Sequence, residues 1–174
     1  MLFRSVWLAT RLLGALLVGA FVFVETAPRG RDVMRDRSDL VARARPELAS
    51  AKVVAALDIG WVSAATSANI VDLAGLTDPE IAALRGGHTS KAVAPRVLLD
   101  REVDVLLVYT TEGGAALVGR DPAGAHGVRA VEARLLASDL VARRYRATAF
   151  LPLGTQGAGY LVVRRVPEVS ETEP

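Results

Sequence analysis

Apolar residues fill positions 12–24 (LLGALLVGAFVFV) without a break, and beyond position 50 they return only in short runs separated by Gly, Pro and Asp. The first pattern is that of a helix apolar on every side, and the second is that of buried strands joined by turns. As a helix, residues 5–24 would rise about 30 Å, enough for a bilayer core. Arg11 would lie about two turns in and reach back toward the headgroups, with Trp7 at the interface. Arg4 and Arg11 precede the run with no acid before position 12, a start that also suits a signal peptide. The small-residue triplets at 18–20 and 25–27 are poor cleavage sites, because one lies inside the apolar run and the other begins with Glu25. Residues 1–27 are therefore expected to be an uncleaved anchor, with a signal peptide or a buried core helix as the alternatives.

Residues 28–50 are polar and rich in Arg and Asp, and read as a juxtamembrane linker with one short helix at 32–44. Its charges form either a solvated face or a contact with anionic headgroups. Arg4 and Arg11 favour a cytoplasmic amino terminus, but Arg29, Arg31, Arg35 and Arg37 flank the apolar run on the other side, so charge does not fix the orientation.

From position 51 the pattern becomes strand, helix, strand, helix, strand, then hairpin. Residues 52–58, 69–73 and 103–109 read as buried strands, with 59–61 as a turn and 62–67 as a short helix. Thr77, Asp78, Pro79 and Glu80 match a capping box with Thr77 as the cap and Leu76 and Ile81 as the hydrophobic staple. Gly86 and Gly87 end that helix, and Pro95 opens another over 95–100. Residues 113–127 form a Gly-rich loop with a short strand at 115–118. A helix with a break at Ser138 and Asp139 covers 128–143, and 145–151 and 159–166 pair as an antiparallel hairpin around PLGTQGA. The fold expected is α/β, a small mixed sheet with short connecting helices, preceded by one transmembrane helix. Its first three strands are parallel with right-handed crossovers. The globular domain is expected at 51–167 and a disordered acidic tail at 168–174.

Composition narrows the chemistry. The chain has no Cys, which excludes disulfides, thiol catalysis and Cys-ligated zinc. Net charge is +2 and aromatics make up 5% of the chain, with no basic run carrying interleaved aromatics, so nucleic acid is not an expected partner. Lysine occurs only at positions 52 and 91 while Arg, Ala, Val and Gly abound, a usage that suits a GC-rich bacterial genome.

Asp58 ends the first strand and Asp72 lies late in the second, at the edge where parallel sheets gather ligands. Together with His88 they are the candidate catalytic groups, able to exchange protons or hold a cation. The competing reading is structural, with Asp58 capping the following turn and Asp72 accepting amides from the turn at 75–77. His88 and His126 lie too far apart in sequence for a metal motif, and no metal site is expected. No G-x-S-x-G elbow supports a Ser-His-Asp set drawn from Ser63 or Ser67, His88 and Asp58. Residues 86–91 lack the spacing of a Walker loop, although their amides and Lys91 could hold an anion. Trp61 and Tyr109 could line a sugar-binding face or fill the core. Trp61, His88 and Lys91 are thus the ligand-binding candidates, and no cofactor is indicated.

The cassette Asp58-x-Gly60, Ile70-Val71-Asp72-Leu73-x-Gly75-Leu76-x-Asp78 and Ile81-Ala82 resembles the soluble terminal domain of bacterial GT-C type membrane glycosyltransferases. These are related to dolichyl-phosphate-mannose protein mannosyltransferases and lipid-linked arabinosyltransferases. Pro95, Asp104, Tyr160 and Arg164 fit the same pattern, and the likeness runs from Val53 to Val108 with a weaker extension to Arg165. The resemblance implies an extracytoplasmic α/β domain following a membrane helix at the bacterial cytoplasmic membrane, with a polytopic glycosyltransferase subunit as a partner. It also implies that the catalytic aspartate of such enzymes belongs to their multi-span part, so no catalytic residue carries over. The expected role is a non-catalytic binding or accessory module held in the membrane by residues 5–24. The alternatives are a small envelope hydrolase or transferase using Asp58, Asp72 and His88, or a purely structural interaction domain.

Overall fold

The computed structural model describes residues 2–111, 113–126, 128–154 and 157–166, with side chains from residue 5 onward. The chain divides into two compact units, Met1–Ser38 and Asp39–Pro174. A single helix, α1 (Leu2–Leu48), makes up the first unit and continues into the second. It is the one helix among the described residues long and apolar enough to cross a membrane, and none of its apolar window is buried. That exposure removes the buried-core reading and fits both an anchor and a signal sequence. Near the start of the run the Arg11 guanidinium lies 4.3 Å from the Trp7 ring centroid, a cation–π pair one turn apart.

The short separate helix expected at 32–44 is instead part of α1, which runs through Pro28, Gly30 and Pro46. Each interior Pro costs a helix about 3 kcal/mol, and the six Arg of positions 29–48, with Ala, Leu, Met and Glu among them, are strong helix formers. The Thr26 hydroxyl donates to Val22 O at 2.5 Å, and Arg35 pairs with Asp32 at 2.9 Å. Helix therefore covers the segment read as a linker.

The second unit is built on a five-stranded sheet of order β2-β1-β3-β5-β4. Strands β1 (Val53–Ala56), β2 (Asn69–Asp72) and β3 (Val105–Thr110) are parallel, with Val54 opposite both Ile70 and Val105. Strands β4 (Tyr145–Pro152) and β5 (Gly159–Arg165) form the antiparallel hairpin, and β5 also pairs with β3. The mixed α/β sheet with short helices and a terminal hairpin is thus the fold the pattern predicts.

Alternation along the strands sends side chains to two cores. Val54, Ala56, Val105, Leu107 and Val162 meet α2 (Ile59–Ala65) through Trp61, Val62 and Ala65, and meet the end of α1 through Leu40, Ala44 and Leu48. Ala55, Leu106, Val108, Leu161 and Val163 face α3 (Pro79–Ala82), α4 (Val97–Asp100), α5 (Ala130–Leu136) and α6 (Asp139–Arg144). The β1–β2 and β2–β3 crossovers run in opposite directions across the sheet. Connections of one hand must then lie on opposite faces, as α2 and the α3–α4 pair do.

Local chemistry moves several boundaries. Residues 59–61 belong to α2, not to a turn, with Asp58 in the cap position. The cap of α3 is Asp78, not Thr77, and its Oδ1 accepts from the amides of Glu80 (3.1 Å) and Ile81 (3.2 Å). Asp outcompetes Thr here because the Thr77 hydroxyl is committed to Asp72. Leu76 is 62% exposed while Ile81 is buried, so the staple does not form. Residues 114–117 make a 3-10 turn and not a strand, entered through Gly113 at φ +67°. The break before Asp139 is present, with the Ser138 hydroxyl accepting from Val141 N at 3.3 Å. Gly127, the centre of the hairpin loop at 155–156 and the tail at 168–174 lie outside the described residues.

Candidate functional site

Because β1 leads toward β2 while β3 lies on its other side, the crevice between the carboxyl ends of β1 and β3 is the topological switch point of the sheet. This is where open α/β sheets bind ligands. Asp58 stands two residues past the end of β1, and Tyr109 and Thr110 end β3. Antiparallel β5 begins at the same edge, pairing Tyr160 with Tyr109 and Gly159 with Thr110. Arg129 stands just before α5.

Arg129 and Glu132 hold this edge together. The Glu132 side chain is fully buried, and four donors surround it. Its Oε1 accepts from Tyr109 N (3.0 Å) and Arg129 Nη2 (2.5 Å), and its Oε2 from Arg129 N (3.0 Å) and Nε (2.9 Å). The bond to the Arg129 amide is the returning half of a capping box. Burial alone would lower the affinity of Arg129 for its proton. Glu132 and then Asp58 outweigh that effect and hold the guanidinium above its ordinary pKa, so it stays charged.

Arg129 Nη1 reaches Asp58 Oδ2 at 2.7 Å, and the Tyr160 hydroxyl donates to the same oxygen. Asp58 Oδ1 has no hydrogen-bond partner among the described residues, and its side chain is 37% exposed. Aromatic rings line one side. Tyr160 lies 4.7 Å from Trp61 and 5.5 Å from Tyr109 between centroids, and Arg129 lies 5.4 Å over Tyr109. The loop after β3 returns to this edge, where the Thr110 hydroxyl (2.6 Å) and the Thr111 amide (3.3 Å) both donate to His126 O.

The residues singled out by sequence fall into three places. Asp58 and Trp61 lie at the crevice, with Trp61 buried and its indole N–H lacking an acceptor among the described residues. Asp72 is fully buried in its own turn. Its Oδ1 accepts from Ala74 N (2.9 Å) and Gly75 N (3.1 Å), and its Oδ2 from Thr77 N (2.6 Å) and Thr77 Oγ1 (3.1 Å). Gly75, at φ +73°, is required there, since a Cβ would stand 2.6 Å from Ala82 N. His88 is exposed on the turn after α3. Lys91 Nζ donates to Ala82 O (2.5 Å) and Leu84 O (3.0 Å), so its ammonium closes the end of α3. Among the described residues Asp58, Asp72 and His88 share no hydrogen-bond partner.

Sequence reading passed over Arg129 and Glu132. Their signal is an R-x-x-E spacing at a helix start, masked because Arg is not a cap-type residue. An open groove of about 290 Å³ lies elsewhere, lined by Ile70, Thr77, Asp78, Pro79, Glu80 and Arg101. Its charges satisfy each other, with Arg101 lying 2.5 Å from Glu80 and 3.6 Å from Asp78.

No curated protein and no solved structure matches the chain. A family model described as a domain of unknown function, DUF8728, matches residues 31–164, from the second half of α1 to the end of β5. The chain belongs to that family, DUF8728.

Proposed function

We propose that this chain is a membrane-anchored, non-catalytic binding or accessory module of the kind that ends GT-C type glycosyltransferases. Its domain would face the extracytoplasmic side of the bacterial cytoplasmic membrane and serve glycan or lipid-linked sugar metabolism. The observation that carries the reading is an exposed apolar helix in the same chain as an α/β domain whose residues 58–82 carry the cassette that resembles the glycosyltransferase tail. That cassette runs from Asp58, just past β1, through α2, β2 and α3, and Asp58 stands at the switch-point crevice. Binding is favoured over catalysis because Asp72 is consumed by its turn and Lys91 by the end of α3.

Two measurements on the full chain test this. The absence of native Cys makes a single Ser67→Cys variant a clean topology probe. On intact cells a membrane-impermeant thiol reagent is expected to label it, and labelling only after lysis would overturn the orientation. In-cell crosslinking followed by purification is expected to recover a polytopic membrane glycosyltransferase. Recovery of none would overturn the accessory role.

A further inference from the structure

We propose that the switch-point crevice binds a neutral ligand through a pair of adjacent hydroxyls, with Asp58 Oδ1 as acceptor and the unused N–H groups of Arg129 as donors. The proposal rests on the binding-module reading and names the ligand class of that module. Arg129 Nη1 and Nη2 each carry two hydrogens and, among the described residues, each makes one bond, to Asp58 and Glu132 respectively, which leaves one N–H on each. The Arg129 side chain is 19% exposed and that of Asp58 37%, so both reach solvent at the same edge. Both are also fixed before any ligand arrives. Asp58 Oδ2 is held by Arg129 and Tyr160, and the guanidinium is locked by buried Glu132 and lies over Tyr109.

This arrangement discriminates between ligand chemistries. Phosphate is anionic and offers mainly acceptors, and it would meet two carboxylates against one guanidinium. An ammonium offers only donors and would meet Arg129. A hydroxyl both donates and accepts, and two adjacent ones match an acceptor and a donor set side by side. The groove at Arg101 offers no such pair, because its carboxylates and guanidinium are bound to each other.

The test is amide NMR of the full chain in zwitterionic micelles that carry no sugar headgroup. Methyl α-mannopyranoside, sodium phosphate and ethylammonium chloride are titrated separately. The glycoside is expected to shift the amides of Asp58, Ile59, Gly60 and Arg129, and its 2-deoxy analogue to bind more weakly. Asp58→Asn turns the free acceptor into a donor and is expected to weaken glycoside binding at least about tenfold. Shifts at those amides from phosphate or ethylammonium instead would overturn the assignment. So would glycoside shifts confined to other regions, undiminished binding by Asp58→Asn, or no glycoside binding at all. The wild-type titration needs no variant to fold. Asp58-dependent glycoside binding without a captured glycosyltransferase would sink only the accessory role, and capture without glycoside binding would sink only the hydroxyl site.

Discussion

Asp58 and Asp72 occupy nearly equivalent places, at the carboxyl ends of adjacent parallel strands, yet the fold treats them differently. Asp72 takes four hydrogen bonds, all from residues 74–77, and is fully buried. Asp58 is reached from residues 71 and 102 positions away, its other oxygen has no partner among the described residues, and its side chain is 37% exposed. A carboxylate saturated by its own turn can only hold that turn. A carboxylate fixed on one oxygen by distant elements, with the other left over, is rigid and still has something to offer. Saturation, not mere proximity to a strand end, separates a strut from a site.

The comparison can be broken in order of expected effect. Glu132→Ala strips Arg129 and the Tyr109 amide of their buried acceptor and is expected to destabilise the fold by about 3–5 kcal/mol in urea denaturation. A loss below about 1 kcal/mol would mean that the network fixing Asp58 is not a framework. Asp72→Ala leaves the turn amides without acceptors and should cost about 2–4 kcal/mol, with Asp72→Asn intermediate. Asp58→Ala should cost only about 1 kcal/mol, because Arg129 keeps Glu132 and the lost carboxylate is partly solvated. Equal losses for the two aspartates would erase the distinction.

The smallest effect concerns a third aspartate, at the opposite end of β3. Burial alone would raise the pKa of Asp104. The amides of Lys52 (2.8 Å) and Val53 (3.0 Å), with Arg165, outweigh it and hold the carboxyl below its ordinary value. Its contribution to stability should therefore be complete above the unfolded-state pKa of about 3.9 and fade as pH falls through the lower folded-state value. Urea midpoints measured across that range should fall less steeply in Asp104→Asn than in the wild type.

Legibility in the sequence followed range. The strands, the parallel trio, the hairpin and the Ser138 break were readable because apolar runs and turn residues act over a few positions. The local role of Asp72 was readable for the same reason, its donors lying within five residues. Competition between neighbours was harder to see. Thr77 and Asp78 are both cap residues, and only the demand of Asp72 for the Thr77 hydroxyl decides between them. The crevice was half visible. Asp58 and Trp61 stood out by position, but Arg129 and Glu132 acquire meaning only when residues 129–132 fold back onto the ends of β1 and β3.

The sheet order also sets a timetable for synthesis. Strand β5, the last made, lies between β3 and β4 and not at an edge. At ordinary translation speeds of about 5–20 residues per second, the ribosome needs on the order of ten seconds to travel from Leu48 to Val163. Throughout that interval Leu40, Ala44 and Leu48 await a surface whose Val162 has not been made. The domain cannot close strand by strand as it emerges, and a nascent chain stopped in the hairpin would present β3 with an unpaired, largely apolar edge.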